Sequence, residues 1–209
     1  LGPEAFIIVR TKSDQIKAFY NVCQHRGSRL VDTAFGHGAA FTCPFHSWSW
    51  NLDGSLRRIT DSETFDPGVI CDDPGLEEVR CDTWAGFIFL NMDPDADPLS
   101  DYLAELKPVM EGYNAEDMDV ITDMETVWPV NWKILLDAFM EGYHAHARHP
   151  ELLSLIDDYH FQNDLFRNGH SRMIIPMGVK SPRLGDQTSM TDAIAEMATS
   201  FGLNADDFE

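Results

Sequence analysis

Cys23-Gln24-His25-Arg26-Gly27 and Cys43-Pro44-Phe45-His46-Ser47-Trp48 decide how this chain is read. Together they spell C-x-H-x17-C-x2-H, two thiols and two imidazoles carried in two short hooks. A [2Fe–2S] cluster of mixed ligation takes two Cys on one iron and two His on the other. Each hook holds one donor for each iron, so two facing loops can clamp such a cluster from both sides. A Cys2His2 zinc site uses the same donors, but zinc sites usually pair like with like, whereas both hooks here are mixed. Coincidence is the third alternative in a chain with four Cys and eight His. Glycine or proline marks each hook as a loop, which favours the cluster over both.

A second constellation lies about a hundred residues on. Asn131-Trp132-Lys133 opens a helical run through Ile134, Leu135, Leu136, Ala138, Phe139 and Met140. In and after it stand Asp137, Glu141, Tyr143, His144, His146, His149 and Pro150. Glu141 and His144 are three apart, which on a helix puts them on one face. His149 falls off that face of a regular helix, but Pro150 disfavours helical geometry at the preceding residue and lets the chain swing the ring back. Two imidazoles and a carboxylate on one side of a metal make the facial triad of non-haem Fe(II) oxygenases. The plain alternative is a helix whose histidines cap its C-terminal end, where cationic side chains meet the negative pole of the dipole. Taken alone, this segment leaves the two readings level.

The hooks resemble the Rieske family, and both motifs in this order resemble the large (α) subunit of Rieske-type non-haem iron ring-hydroxylating oxygenases. The resemblance runs from about Phe6 to His149. Respiratory Rieske proteins carry one further Cys in each cluster loop; Ser28 and Phe45 stand at the matching positions here. That points to the oxygenase or ferredoxin branch, and to the lower part of a span of about −150 to +300 mV. The resemblance implies that Cys23 and Cys43 hold one cluster iron, that His25 and His46 hold the other, and that His144 and His149 bind a mononuclear Fe(II). It implies that Glu141, where many members have Asp, joins an iron-ligand His to a cluster-ligand His of a neighbouring subunit, and that Asn131 lies near the iron. Tyr143 reads as core packing, and His146 as a surface or pocket residue rather than a ligand. The family's carboxylate ligand comes from a helix beyond this chain; Asp157, Asp158 and Asp164 do not match it.

The fold implied is α+β. An all-β Rieske [2Fe–2S] domain is expected over 1–92, a linker and helix over 93–118, and the N-terminal part of a helix-grip catalytic domain over 119–209. The activity implied is O2-dependent hydroxylation, or oxidative demethylation, of a small aromatic or other organic substrate, as in aromatic hydrocarbon catabolism. Electrons from NAD(P)H would arrive through a reductase, directly or by way of a ferredoxin, and pass from the cluster to the iron. A homotrimer or α3β3 assembly in the cytoplasm is the expected setting. The alternative is a Rieske-type electron carrier without catalysis of its own, which accounts for the hooks but leaves Asn131 to His149 without a purpose.

Composition bounds these expectations. The 209 residues suit one large domain or two modest ones, and 44% hydrophobic residues with 11% aromatic is ordinary for a packed core. A net charge of −20 argues against nucleic acid and anionic membranes as partners, since phosphate binding needs clustered Lys and Arg. The same acidity could steer a basic redox partner, although a solvated acidic surface is the plainer account. Leu1-Gly2-Pro3-Glu4 has neither an initiator Met nor a basic region, so upstream sequence is expected. Cys71 and Cys81 read as packing residues.

Strands are expected at Ala5 to Val9, Ile16 to Val22, Ala39 to Cys43 and Gly86 to Asn91, with a hairpin from Trp48 to Leu56 that turns at Gly54. After the Asp93–Pro98 break, a helix is expected from an N-cap at Ser100 to Gly112. A strand from Ile121 to Trp128 would open the second domain. Met173 to Ile175 suggests another strand, and Asp192 to Phe201 an amphipathic helix.

Overall fold

The computed structural model of the chain describes residues 3–66, 68–70 and 74–185, together with Ala195. Cys71 and, Ala195 apart, the helix expected at Asp192 to Phe201 lie outside the described residues. The chain divides into two units, Leu1–Tyr102 with Met110–Asp119 and Leu103–Val109 with Val120–Glu209.

The described residues of the first unit carry seven strands: β1 (Phe6–Arg10), β2 (Ile16–Tyr20), β3 (Phe41–Thr42), β4 (Ser49–Trp50), β5 (Leu56–Arg58), β6 (Glu78–Trp84) and β7 (Phe87–Asn91). They form two antiparallel sheets, in the orders β1-β2-β6-β7 and β3-β4-β5. The core joins the two: Ile7 and Phe19 from the first sheet pack with Trp48, Trp50, Leu30, Leu76 and both hook cysteines. Trp50 is wholly buried, and its indole N–H donates to Pro74 O at 2.7 Å. The expected hairpin turns at Gly54, whose φ is +86° and whose N–H bonds Asn51 O at 3.0 Å. A Cβ at Gly54 would stand 2.3 Å from Phe19 Cε1, so both turn geometry and packing demand glycine. β6 is the strand that the hydrophobic pattern does not announce. Val79 alone of its seven residues is buried, and its register with β7, from Arg80↔Asn91 to Trp84↔Phe87, is what makes it a strand.

The helix expected from Ser100 to Gly112 is instead two pieces, α1 (Leu99–Leu103) and α2 (Leu106–Met110), separated at Ala104 with φ 41°. The cause is Pro108: in a continuous helix its ring would clash with the carbonyl of residue 104, and it has no N–H to donate there. Ser100 lies inside α1 rather than capping it. Ile121 to Trp128 is not a strand. It finds no partner strand among the described residues, and Ile121 is 95% exposed. Strand structure needs a ladder to satisfy its backbone, and here none is formed.

In the second unit α3 (Trp132–Phe139) is followed by α4 (Ala145–Arg148) and a 3-10 turn at Pro150–Ser154. β8 (Gln162–Leu165) and β9 (Ser171–Ile174) pair as an antiparallel hairpin, which covers most of the strand expected around Met173. The segment after β9 then straps back over the turn. Asp157 N–H bonds Pro176 O at 3.0 Å, Gly178 N–H bonds Leu155 O at 2.8 Å, and Ser181 N–H bonds Leu153 O at 2.7 Å. The buried Asp158 carboxylate locks this strap, accepting from Ser181 Oγ at 2.5 Å and Arg183 Nε at 2.8 Å.

Candidate metal centres

The two hooks repeat one backbone device. Cys23 N–H bonds Ser28 O at 2.8 Å and Gly27 N–H bonds Cys23 O at 2.9 Å. Five residues on from each cysteine the same pattern closes the second hook, with Cys43 N–H to Trp48 O at 2.8 Å and Ser47 N–H to Cys43 O at 3.0 Å. The residue four after each cysteine is left-handed: Gly27 at φ 74° and Ser47 at φ 59°. Each loop thus curls round its own sulfur. Cys23 and Cys43 are 3% and 1% exposed, while His46 is open to solvent and His25 partly so.

The imidazoles of His25 and His46 meet edge to face, with centroids 4.8 Å apart. Each also has an aromatic backing that the hook spacing does not reveal. Trp48 stacks on His25 at 4.6 Å and 11°, and Phe45 leans on His46 at 4.0 Å. Burial pushes both thiols up. At Cys43 this is outweighed by N–H donation from Phe45 and His46, with Cys23 and Ser28 helping, so its thiol ends below the usual value; Cys23 stays raised. Burial also lowers His25, with the His46 ring and Arg26 adding to it. Two buried sulfurs behind two imidazoles at an open rim fit the donor set of a mixed-ligand cluster.

At the second constellation the structure revises the local geometry while keeping the partners. α3 stops at Phe139, so Glu141 sits in the connecting turn and not on a helix face shared with His144. It reaches His144 by curling back. Glu141 Oε2 accepts the His144 backbone N–H at 3.1 Å, and Oε1 meets His144 Nδ1. The His144 ring, against the opposing effect of burial, holds the Glu141 carboxyl below its usual range, helped by the N–H groups of His144 and Tyr143. His149 is non-helical, at φ −129° and ψ 55°, as Pro150 requires. Its ring comes to 5.4 Å from that of His144.

His149 Nδ1 lies 3.3 Å from Glu151 Oε1, a contact the motif did not announce although Glu151 is two residues away. Both rings therefore have Nδ1 turned to a carboxylate, which leaves Nε2 as the nitrogen available to a metal. Asn131 is placed at the N-cap of α3, where its Oδ1 accepts Lys133 N–H at 2.9 Å. His146 packs against Tyr143 at 5.6 Å, and Tyr143 is exposed rather than in a core.

Among the described residues, no group of three or more His, Cys, Asp or Glu side chains surrounds a single ion. The hooks could offer two donors to each of two irons. The histidine pair could offer two of the three donors in a facial triad.

Comparison with known proteins bears on both segments. Residues 1–71 match the Rieske [2Fe-2S] domain, and residues 115–207 match the ring hydroxylating alpha subunit (catalytic domain). The glycine betaine monooxygenase oxygenase subunit of Chromohalobacter salexigens is 34% identical over 166 residues, covering 78% of this chain and 36% of that protein. The carnitine monooxygenase oxygenase subunit of Escherichia coli K12 is 37% identical over 152 residues, covering 70% of this chain and 40% of that protein. The chain therefore spans well under half the length of these relatives. Among solved structures, the quaternary ammonium Rieske monooxygenase CntA with L-carnitine has a TM-score of 0.69 at 28% identity, over 82% of this chain and 49% of that one. Naphthalene 1,2-dioxygenase from Rhodococcus sp. has a TM-score of 0.71 at 26% identity, over 84% of this chain and 43% of that one. With a Rieske domain followed on one chain by the start of an alpha-subunit catalytic domain, this chain belongs to the family of Rieske-type ring-hydroxylating oxygenase large subunits.

Proposed function

We propose that this chain forms the electron-entry and iron-binding part of an oxygenase that hydroxylates, or oxidatively demethylates, a small organic substrate with O2. The observation that carries the proposal is the His144–His149 pair, 5.4 Å apart and each backed by a carboxylate, on the same chain as the two hooks. Cys23, Cys43, His25 and His46 would hold the [2Fe–2S] cluster, and His144 and His149 the mononuclear Fe(II). When bound, the cluster supplies one-electron transfer and the iron supplies open positions for O2.

The remaining work falls to the chain's own groups. Glu141 holds His144 with its proton on Nδ1, and joining that ring to a cluster histidine of a neighbouring subunit is the wider role proposed for it. Asn131 fixes the first turn of α3, the helix that leads into Glu141, and acts near the iron by that route. A reductase, with or without a ferredoxin, would deliver NAD(P)H electrons to a trimeric assembly.

For the substrate, the names of the relatives favour a quaternary ammonium compound over an aromatic one. The glycine betaine and carnitine monooxygenase subunits match 70–78% of this chain. The biphenyl 2,3-dioxygenase alpha subunit of Rhodococcus jostii is 33% identical over 69% of it. Substrate-dependent O2 uptake by the holoenzyme with its reductase, offered carnitine, glycine betaine and biphenyl in turn, tests this directly. Uptake with biphenyl alone would overturn the substrate class. A His144→Ala, His149→Ala double variant should lose all substrate-dependent uptake while keeping the reduced-cluster EPR signal. Retained uptake would sink the iron assignment.

A further inference from the structure

The two hooks share a backbone and differ in what closes them. The second is the tip of a ladder: β3 leads in, β4 leads out, and Phe41↔Trp50 and Thr42↔Ser49 pair across its base. The first has β2 leading in but no strand leading out, since Ser28 to Val31 forms none. A single side chain takes the place of that ladder. Asn21 Oδ1 accepts the N–H groups of Leu30 at 2.9 Å and Val31 at 3.0 Å, and Asn21 Nδ2 donates to Val31 O at 2.6 Å. Its own backbone N–H is anchored to Ala5 O at 2.8 Å. An Asn amide offers one acceptor with two lone pairs and two donors, so these contacts use both ends of the group as a strand's peptide would. Leu30, drawn in by this staple, is 8% exposed and packs in the same core as Cys23 and Cys43.

We propose that Asn21 is a positioning residue for the cluster: its amide closes the first hook as the β3–β4 ladder closes the second, and so presets Cys23 and His25. This rests on the cluster-binding role proposed for the hooks. Without the amide, the N–H groups of Leu30 and Val31 lose their partners and the return limb of the hook is free to drift.

The test uses holo-protein purified anaerobically, as wild type, Asn21→Ala, Asn21→Asp and Asn91→Ala. The last removes an amide outside the hooks, whose Oδ1 accepts Asp93 N–H at 3.0 Å in the turn after β7. The rate of cluster loss to excess EDTA, the EPR spectrum of the reduced cluster and far-UV circular dichroism are followed together. Asn21→Ala should lose its cluster about tenfold faster and shift its g-values while the dichroism holds. Asn21→Asp, which keeps the acceptor oxygen but turns a carboxylate oxygen on Val31 O, should also lose its cluster faster than wild type, and Asn91→Ala should match wild type. If Asn21→Ala does not fold, Asn21→Asp carries the test alone. Wild-type loss rates and g-values in the Asn21 variants would overturn the proposal, as would equal acceleration by Asn91→Ala. A wild-type protein with no inorganic sulfide and no reduced-state signal would instead overturn the cluster reading itself, and this proposal with it.

Discussion

The cluster hooks and the histidine pair are built on opposite plans. Each hook curls round its cysteine through backbone bonds spanning five residues, and both sulfurs sit in a core that the surrounding sheets already fill. The histidine pair lies beside a stretch whose apolar side chains stand in solvent, Val127 at 88%, Trp132 at 66% and Phe139 at 68% exposed. The first centre draws its donors from two closed loops backed by a filled core. The second has donors oriented by local carboxylates, with little packing around them. A donor set backed by a filled core is held by packing, whereas one oriented by local carboxylates is held by hydrogen bonds.

That contrast can be broken at several levels. Cys23→Ser and Cys43→Ser should each abolish the visible absorbance and EPR signal of the cluster completely. A surviving signal in either would show that the hooks are not equivalent halves. Gly54→Ala attacks the packing behind the second hook, where a Cβ would enter the Phe19 ring. We expect it to cost about 3 kcal/mol in urea unfolding, combining overpacking with left-handed strain. A cost below ~1 kcal/mol would mean that the core behind the cluster yields easily.

In the second unit, Asp158→Asn should cost about 2 kcal/mol, because it removes a charged acceptor from a buried network. Burial alone would raise the Asp158 carboxyl, but the Ser181 hydroxyl and the Arg183 guanidinium outweigh it and hold it below its usual value. With a depressed folded value, the carboxylate stabilises the strap above the unfolded pKa of about 3.9, and that contribution fades as pH falls through the folded value. An acid titration of stability should therefore show wild type losing its advantage over Asp158→Asn below about pH 4. An advantage that does not change with acid would assign the effect to packing.

The smallest effects should come with opposite signs. Gly27 and Ser47 occupy the same left-handed position of their hooks. A Cβ at Gly27 would meet nothing within 4 Å, so Gly27→Ala should cost only the backbone strain, about 1 kcal/mol. Ser47→Gly should relieve a similar strain and stabilise by about 0.5–1 kcal/mol. Thermal unfolding of both variants reads the pair, and equal signs would show that the hooks do not share one backbone logic.

What could be read from residue order was whatever is decided over a few positions. The hook spacing, the Gly54 turn and the bend before Pro150 are of that kind, and so is the pairing of Glu141 with His144. Even there the route differed, since a turn rather than a helix face brings those two together. The helix expected to Gly112 overlooked one ring, Pro108, whose clash acts four residues away. The strand expected at Ile121 needed a partner that these elements do not provide. Asn21 and Trp48 were illegible for a different reason: each does through a side chain what sequence patterns assign to backbone or to ligands.

The Trp48 stack on His25 turns the protein into its own optical gauge. Of the five tryptophans, Trp48 and Trp50 are buried and should emit toward the blue, while Trp128 and Trp132 are largely exposed and should emit toward the red. An iron–sulfur chromophore held by His25 would drain the excited indole lying flat against that ring. Blue-edge fluorescence should therefore stay dim in the loaded protein and brighten in step with iron release, reporting occupancy from within the fold and without any added dye.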